Sequence, residues 1–162
     1  MQDTENPYAA PQASSADVNA VGSGVKRKLF SPTQGAAGAF LFGPLTGLYI
    51  IQANFSAMNE STRRSQSIIY GIVATIAFAL LTPFIPDKIP GVLFGLLYMA
   101  PTKAVMDKFQ LSKPQIEQSE QFIFHSNWLV FGIGILAILV YLVFIIAVMF
   151  FYAAIGWIEP LM

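Results

Sequence analysis

The chain has 162 residues, 55% of them apolar and only 11% charged, against roughly a quarter charged in soluble domains. Nine Lys+Arg balance nine Asp+Glu, so the basic surplus of an electrostatic nucleic-acid binder is missing and no nucleic acid is expected as a partner. Cysteine is absent, which excludes disulfides, iron–sulfur ligation and thiolate zinc sites.

Residues 1–29 read as a polar tail. Up to Val25 they are Ala-, Ser- and Pro-rich and almost free of large hydrophobes. Such a stretch buries too little apolar area to offset its ordering entropy, so disorder is expected. The first positive charge is Lys26 and no apolar stretch precedes Ala36, whereas a secretory signal begins basic and turns apolar at once. Targeting is expected to fall to the first apolar segment, acting as an uncleaved anchor. The cluster Lys26-Arg27-Lys28 falls short of the four to eight charges of a specific lipid patch, and an orientation signal explains it better.

Residues 30–162 read as a helical transmembrane domain with four apolar segments, at about 35–53, 68–85, 89–106 and 127–158. The mean hydropathy of +0.59 makes the excess of apolar residues global. The first three segments are near the lower length limit for crossing a hydrocarbon core of about 30 Å. Segment one contains Gly43-Pro44, segment two is closed by Pro83 and Pro86, and segment three contains Pro101. The fourth is a long C-terminal transmembrane helix, with seventeen Leu, Ile, Val or Phe between Leu129 and Phe151. Insertion is favourable by roughly 5–10 kcal/mol at most, at about 0.3–0.6 kcal/mol for each such residue. Trp128 and Trp157 are its interfacial anchors, about 43 Å apart if the helix is continuous. Between segments three and four, Ser112 and Gln115 have capping-box spacing. A helix starting there is expected to run on into segment four, with Glu117, Glu120 and His125 on a solvated stalk.

Basic residues accumulate on the cytoplasmic side. If all four segments cross, Lys26, Arg27, Lys28 and Lys88 oppose Arg63, Arg64, Lys103, Lys108 and Lys113, which is no bias. If segment one enters and returns on the same side, eight basic residues share one face against Lys88 alone. Pro44 suits such a break, because it donates no backbone hydrogen bond and clashes with the preceding turn. Proline is also tolerated in continuous transmembrane helices, and a broken backbone at membrane depth needs protein cover that a small chain supplies poorly unless it oligomerises. Both arrangements stay open on the sequence, with four crossings preferred and a cytoplasmic N-terminus in either.

Gly35, Ala39, Gly43 and Gly47 recur at every fourth position, the pattern of a close helix-packing ribbon. Gly91 and Gly95 form a second, and Gly71, Thr75 and Ala79 a weaker third. Pro44 and Pro101 are the expected helix breaks. Thr46 lies two residues after Pro44 and Thr102 directly after Pro101, a paired pattern that would fit transporter repeats with a site at the breaks. Lys103 and Asp107 end segment three, where snorkelling accounts for them. Gln52 and Asn54 are expected to meet headgroups or a neighbouring helix. His125 has no second His or Cys for a metal site, and neither Ser119 nor Ser126 sits in a nucleophile elbow beside it. No catalytic residue, metal ligand or cofactor is therefore expected.

Asn6-Pro7-Tyr8-Ala9-Ala10-Pro11 and Phe40-Leu41-Phe42-Gly43-Pro44-Leu45-Thr46-Gly47, followed by Asn54-Phe55, resemble the opening and first segment of an uncharacterised family of small bacterial multi-pass inner-membrane proteins. Phe42 stands where that family's element has glycine. The resemblance covers about a third of the chain and implies a location rather than an activity. The expected role is that of a non-enzymatic accessory or scaffold protein, with the lipid bilayer and a homo-oligomer or membrane-protein partner as its contacts. The alternative is an oligomeric channel or small-solute transporter whose cavity is lined by the Gly43-Pro44 break.

Overall fold

The computed structural model describes residues 26–86 and 88–157. The tail expected to be disordered lies, up to residue 25, outside the described residues. The chain is mostly helical, in the order β1 (Arg27–Leu29), α1 (Pro32–Phe42), α2 (Pro44–Ala57), α3 (Ser61–Leu81), a 3-10 turn (Thr82–Phe84), α4 (Gly91–Phe109), α5 (Lys113–Glu117), β2 (Phe122–Phe124) and α6 (Asn127–Ala154).

Segment one is not a single helix. Ser31 and Gln34 close a capping box at the start of α1, with Ser31 N–H donating to Gln34 Oε1 at 2.9 Å and Gln34 N–H to Ser31 Oγ at 3.2 Å. Pro32 follows at a position where its missing donor costs nothing. Helix α1 ends at Gly43, whose φ of 87° and ψ of −172° lie in a region essentially reserved for glycine. Pro44 then starts α2 with its φ already helical. The turn sends α2 back along α1. A methyl group built on Gly38 would lie 3.1 Å from Ile50 and 3.2 Å from Thr46, and one on Gly47 would lie 3.1 Å from Ala39 Cβ. The pair is an antiparallel helical hairpin about 16–21 Å long.

Other expectations also change. Helix α3 begins at Ser61 rather than near Ile68, because Arg63, Arg64 and Gln66 are good helix formers that extend it beyond its apolar stretch. Pro101 does not break α4, which runs unbroken from Gly91 to Phe109. The stalk helix is absent: α5 stops after five residues, and the chain turns to form β2. Strand β2 pairs in parallel with β1, in the register Arg27–Phe122, Lys28–Ile123 and Leu29–Phe124. Helix α6 then starts afresh, with Ser126 Oγ accepting from Trp128 N–H at 3.3 Å. It ends at Gly156 (φ 74°), where Gly156 N–H returns to Ala153 O and Trp157 N–H to Tyr152 O. That is a Schellman stop. It folds Trp157 back onto the Tyr152 ring at 5.6 Å, so the two tryptophans are closer than a continuous helix would put them.

Residues 61–84 and 127–154 are long and apolar enough to cross a membrane. Only 11% of each apolar window is buried, which sets them apart from core helices of a soluble protein. The main core joins Phe30, Ile50, Ile51, Phe55, Met106 and Val130. A smaller cluster of Ala79, Val148 and Tyr152 lies at the far end, where α3 meets α6.

Candidate functional site

At the open end of the hairpin, polar side chains tie four parts of the chain together. Asn54, near the end of α2, is almost fully buried. Its Oδ1 accepts from Phe30 N–H and its Nδ2 donates to Phe30 O, both at 2.8 Å. The same amide nitrogen donates to Gln110 Oε1 at 2.8 Å, and Gln110 Nε2 donates to Ile51 O at 2.9 Å. Across the hairpin mouth, Gln34 Nε2 donates to His125 O at 2.9 Å and Asn127 Oδ1 at 2.7 Å. Arg27 donates to Ala57 O at 2.9 Å, and His125 N–H to Leu29 O at 2.9 Å. The start of α1 and the end of α2 are thereby fixed side by side. The C-terminus of α4 and the N-terminus of α6 are held in the same layer.

The His125 ring stacks on Phe30 with centroids 4.2 Å apart. Burial, and to a lesser degree the nearby Lys28 charge, hold its imidazole below the usual 6.5. Among the described residues no group of three or more His, Cys, Asp or Glu is placed to hold a metal.

The hairpin is enclosed by the chain itself. Met106 of α4 fills the space beside Gly35, the Phe40 ring lies over Gly95, and the Phe42 ring lies over Gly134 of α6. Phe42 also stands edge-on to Phe131 at 5.5 Å, so the aromatic in place of the expected glycine wedges the hairpin tip against α6. The small-residue ribbon consequently does not lie along one helix. Gly35 and Ala39 face inward on α1, Gly43 is the turn, and Gly47 on α2 meets Ala39 and Thr102. Gly95 is a close-contact position, whereas nothing lies within 4 Å of a methyl group built on Gly91. Thr46 is fully buried, and its hydroxyl faces Phe42 O at 3.5 Å. Of the Gly43-Pro44 break expected to line a cavity, Pro44 borders one and Gly43 does not.

That cavity is a cleft of about 650 Å³ between α2, α3 and α4, with no α6 residue in its lining. Pro44, Leu48, Ile51 and Phe55 form its floor, Tyr70, Ala74 and Phe78 lie on the α3 wall, and Leu97, Pro101 and Val105 on the α4 wall. Helices α3 and α4 meet at its deep end, where Phe78 stands edge-on to Tyr98 at 5.2 Å and to Phe94 at 5.9 Å. They meet again at its mouth, where the Arg63 guanidinium lies 5.3 Å from the Phe109 ring centroid. Lys108 approaches the same ring at 5.2 Å. Two threonines in the walls are spent on their own helices, Thr75 donating to Gly71 O at 2.7 Å and Thr102 to Tyr98 O at 2.9 Å. Polar side chains able to meet a ligand concentrate at the mouth, in Arg63, Gln66 and Ser67.

Neither the Asn54 clamp nor the cleft is foreseen from the sequence. The one available signal is an Asn near the end of an otherwise apolar segment. Comparison with family models, curated proteins and solved structures finds no match to this chain.

Proposed function

We propose that the chain is a multi-pass protein of the bacterial inner membrane in which α3, α4 and α6 cross and the α1–α2 hairpin enters and returns on the cytoplasmic side. The observation that carries this reading is the distribution of charge about the hairpin base. Lys26, Arg27, Lys28, Arg63, Arg64, Lys108 and Lys113 belong to the end tied together by Asn54 and the β1–β2 ribbon, Lys103 lies about two turns further along α4 and pairs with Asp107, and Lys88 alone sits at the other end. Basic residues mark the cytoplasmic face. Supporting it, the hairpin is roughly half to two-thirds as long as a membrane-spanning helix pair needs to be. Its broken backbone also has the protein cover that hydrocarbon depth demands, from α4 on one side and α6 on the other. The resemblance to small inner-membrane proteins favours the same location.

Within that frame the chain acts as a non-enzymatic accessory or scaffold protein working through helix–helix and lipid contacts. Support comes from the large apolar side chains exposed along α3 and α6, among them Val73, Leu136, Val143 and Phe150. A channel along the hairpin is less well supported, because Thr46 is closed off and Gly35, Gly38 and Gly47 are packed against neighbouring side chains.

The cysteine-free chain allows a direct test. Single cysteines replacing Ser14, Ser61 and Ser119 are expected to react with thiol reagents only from the cytoplasmic side of intact cells. Opposite labelling of Ser14 and Ser61 would sink the re-entrant hairpin. Solute movement by the purified protein alone in liposomes would sink the accessory role.

A further inference from the structure

We propose that the cleft between α2, α3 and α4 is a site for one acyl chain of an anionic phospholipid from the cytoplasmic leaflet, with its phosphate held at Arg63. The proposal rests on the membrane reading above and names the ligand that the cleft's chemistry selects.

Three observations point to an amphiphile. The volume of about 650 Å³ is in the range of small-molecule sites. Its polarity is graded, because the wall threonines donate to their own backbones and the depth is lined by Leu48, Phe78 and Leu97, whereas Arg63, Gln66 and Ser67 sit at the mouth. Its depth matches one leaflet. From Phe55 to Pro44 the floor runs about 16 Å, and from Arg63 to Phe78 the α3 wall runs about 22 Å, beside about 15 Å for half a hydrocarbon core. A water-soluble solute would leave the apolar depth unused, and a plain alkane would leave the cationic mouth unused.

Charge complementarity at the mouth selects an anion. Besides its stacking on the Phe109 ring, Arg63 makes two polar contacts, a 3.6 Å pair with Glu60 and a 3.5 Å approach to Phe109 O. Both are long, and the Glu60 pair is half-exposed, where such pairs are weak. The planar fork of five donors retains capacity for a phosphate. Lys108, over the same Phe109 ring, adds a second positive charge. Tyr70 and Leu97 line the cleft and are exposed, so the cleft is reached from lipid.

The test uses the full chain with added phosphatidylglycerol or phosphatidylcholine, and native mass spectrometry to read retained lipid. Wild type is expected to keep one phosphatidylglycerol in preference to phosphatidylcholine. Arg63→Gln reduces that preference about fivefold, the worth of one cation at a membrane surface. Ala74→Trp, which fills the cleft from an exposed position on its wall, abolishes retention, while Leu139→Trp on the outer face of α6 leaves it intact. Identical retention in all four proteins overturns the site. Retention lost in Ala74→Trp but indifferent to headgroup overturns the anionic assignment. Flotation with vesicles of phosphatidylethanolamine and phosphatidylglycerol reads the membrane assignment separately. A protein that floats without the expected lipid pattern refutes the cleft alone, and one that does not float refutes both readings.

Discussion

The carboxamide of Asn54 bonds both the N–H and the C=O of Phe30, each at 2.8 Å, closing across 24 residues of sequence a pair of hydrogen bonds like that of two paired strands. Phe30 precedes α1 and Asn54 nearly ends α2, so this one side chain fixes the separation of the hairpin's two legs. Both partners are buried, and a buried backbone group left without a partner costs about 1–3 kcal/mol. Asn54→Ala removes both bonds and the link to Gln110, and is expected to destabilise the protein by about 2–5 kcal/mol on that basis. Asn54→Asp retains the acceptor for Phe30 N–H but loses the donor, and brings a buried charge. It should be no better tolerated than the alanine. Thermal unfolding of the solubilised protein decides; an unperturbed midpoint in Asn54→Ala would remove the clamp from the account.

At the other end of the hairpin, Gly43 has open space around its Cα, with nothing within 4 Å of an added methyl group. Any cost of Gly43→Ala is therefore conformational, arising from its φ of 87° and ψ of −172°, and is expected to be about 1–3 kcal/mol. Pro44→Ala, by contrast, leaves the turn glycine in place and should cost under about 1 kcal/mol, the usual scale of a compatible proline's effect on the unfolded chain. A larger loss for Pro44→Ala than for Gly43→Ala, measured by denaturation, would mean that the proline rather than the glycine dictates the turn.

The parts of this architecture legible in the sequence are those written as long apolar runs. Helix α6 announces itself by its composition, and α3 by its apolar second half. The four-residue glycine periodicity misleads because it presupposes one continuous helix, and Gly43, a member of the ribbon, is the point where the helix ends. Charge counting raises a reversal of segment one as an alternative, and the turn at Gly43-Pro44 between α1 and α2 is a reversal of the chain. Asn54 is illegible because an Asn at the end of an apolar segment has the same appearance whether it meets headgroups or a distant backbone. The β1–β2 ribbon is three residues on each side, too short for any alternation to register. Pro101 misleads for a related reason: the packing of α4 against α1 and α2 holds the helix together through a residue that local propensity alone would read as a break.

The two glycines of the α4 motif should separate cleanly. An added methyl group at Gly95 would lie 2.8 Å from the Phe40 ring and 3.0 Å from Phe40 O. The backbone oxygen cannot turn aside, so Gly95→Ala forces α1 and α4 apart at a cost of about 1–3 kcal/mol. Gly91 opens the helix with empty space beside it, and Gly91→Ala is expected to be neutral or stabilising by up to about 1 kcal/mol through helix propensity. Equal effects in thermal melts would show that the contact between Phe40 and Gly95 is looser than described.

His125 supplies a pH dependence whose sign follows from its environment. Burial, then the Lys28 charge, lower the folded-state pKa from 6.5, so the unfolded chain takes up a proton first as pH falls. In the window between 6.5 and the lower folded value the unfolded state binds more protons, and stability must drop with falling pH. The contribution is fully present above about 6.5 and is lost below it. Protonation would also place a charge on the ring stacked against Phe30 at 4.2 Å, beside the residue that Asn54 clamps. His125→Phe keeps an aromatic surface over Phe30 and cannot titrate. The difference in unfolding midpoint between wild type and His125→Phe is therefore expected to shift in favour of the variant as pH is lowered through 6.5. A difference that does not change with pH would show that the ring is as well solvated in the folded protein as in the unfolded chain.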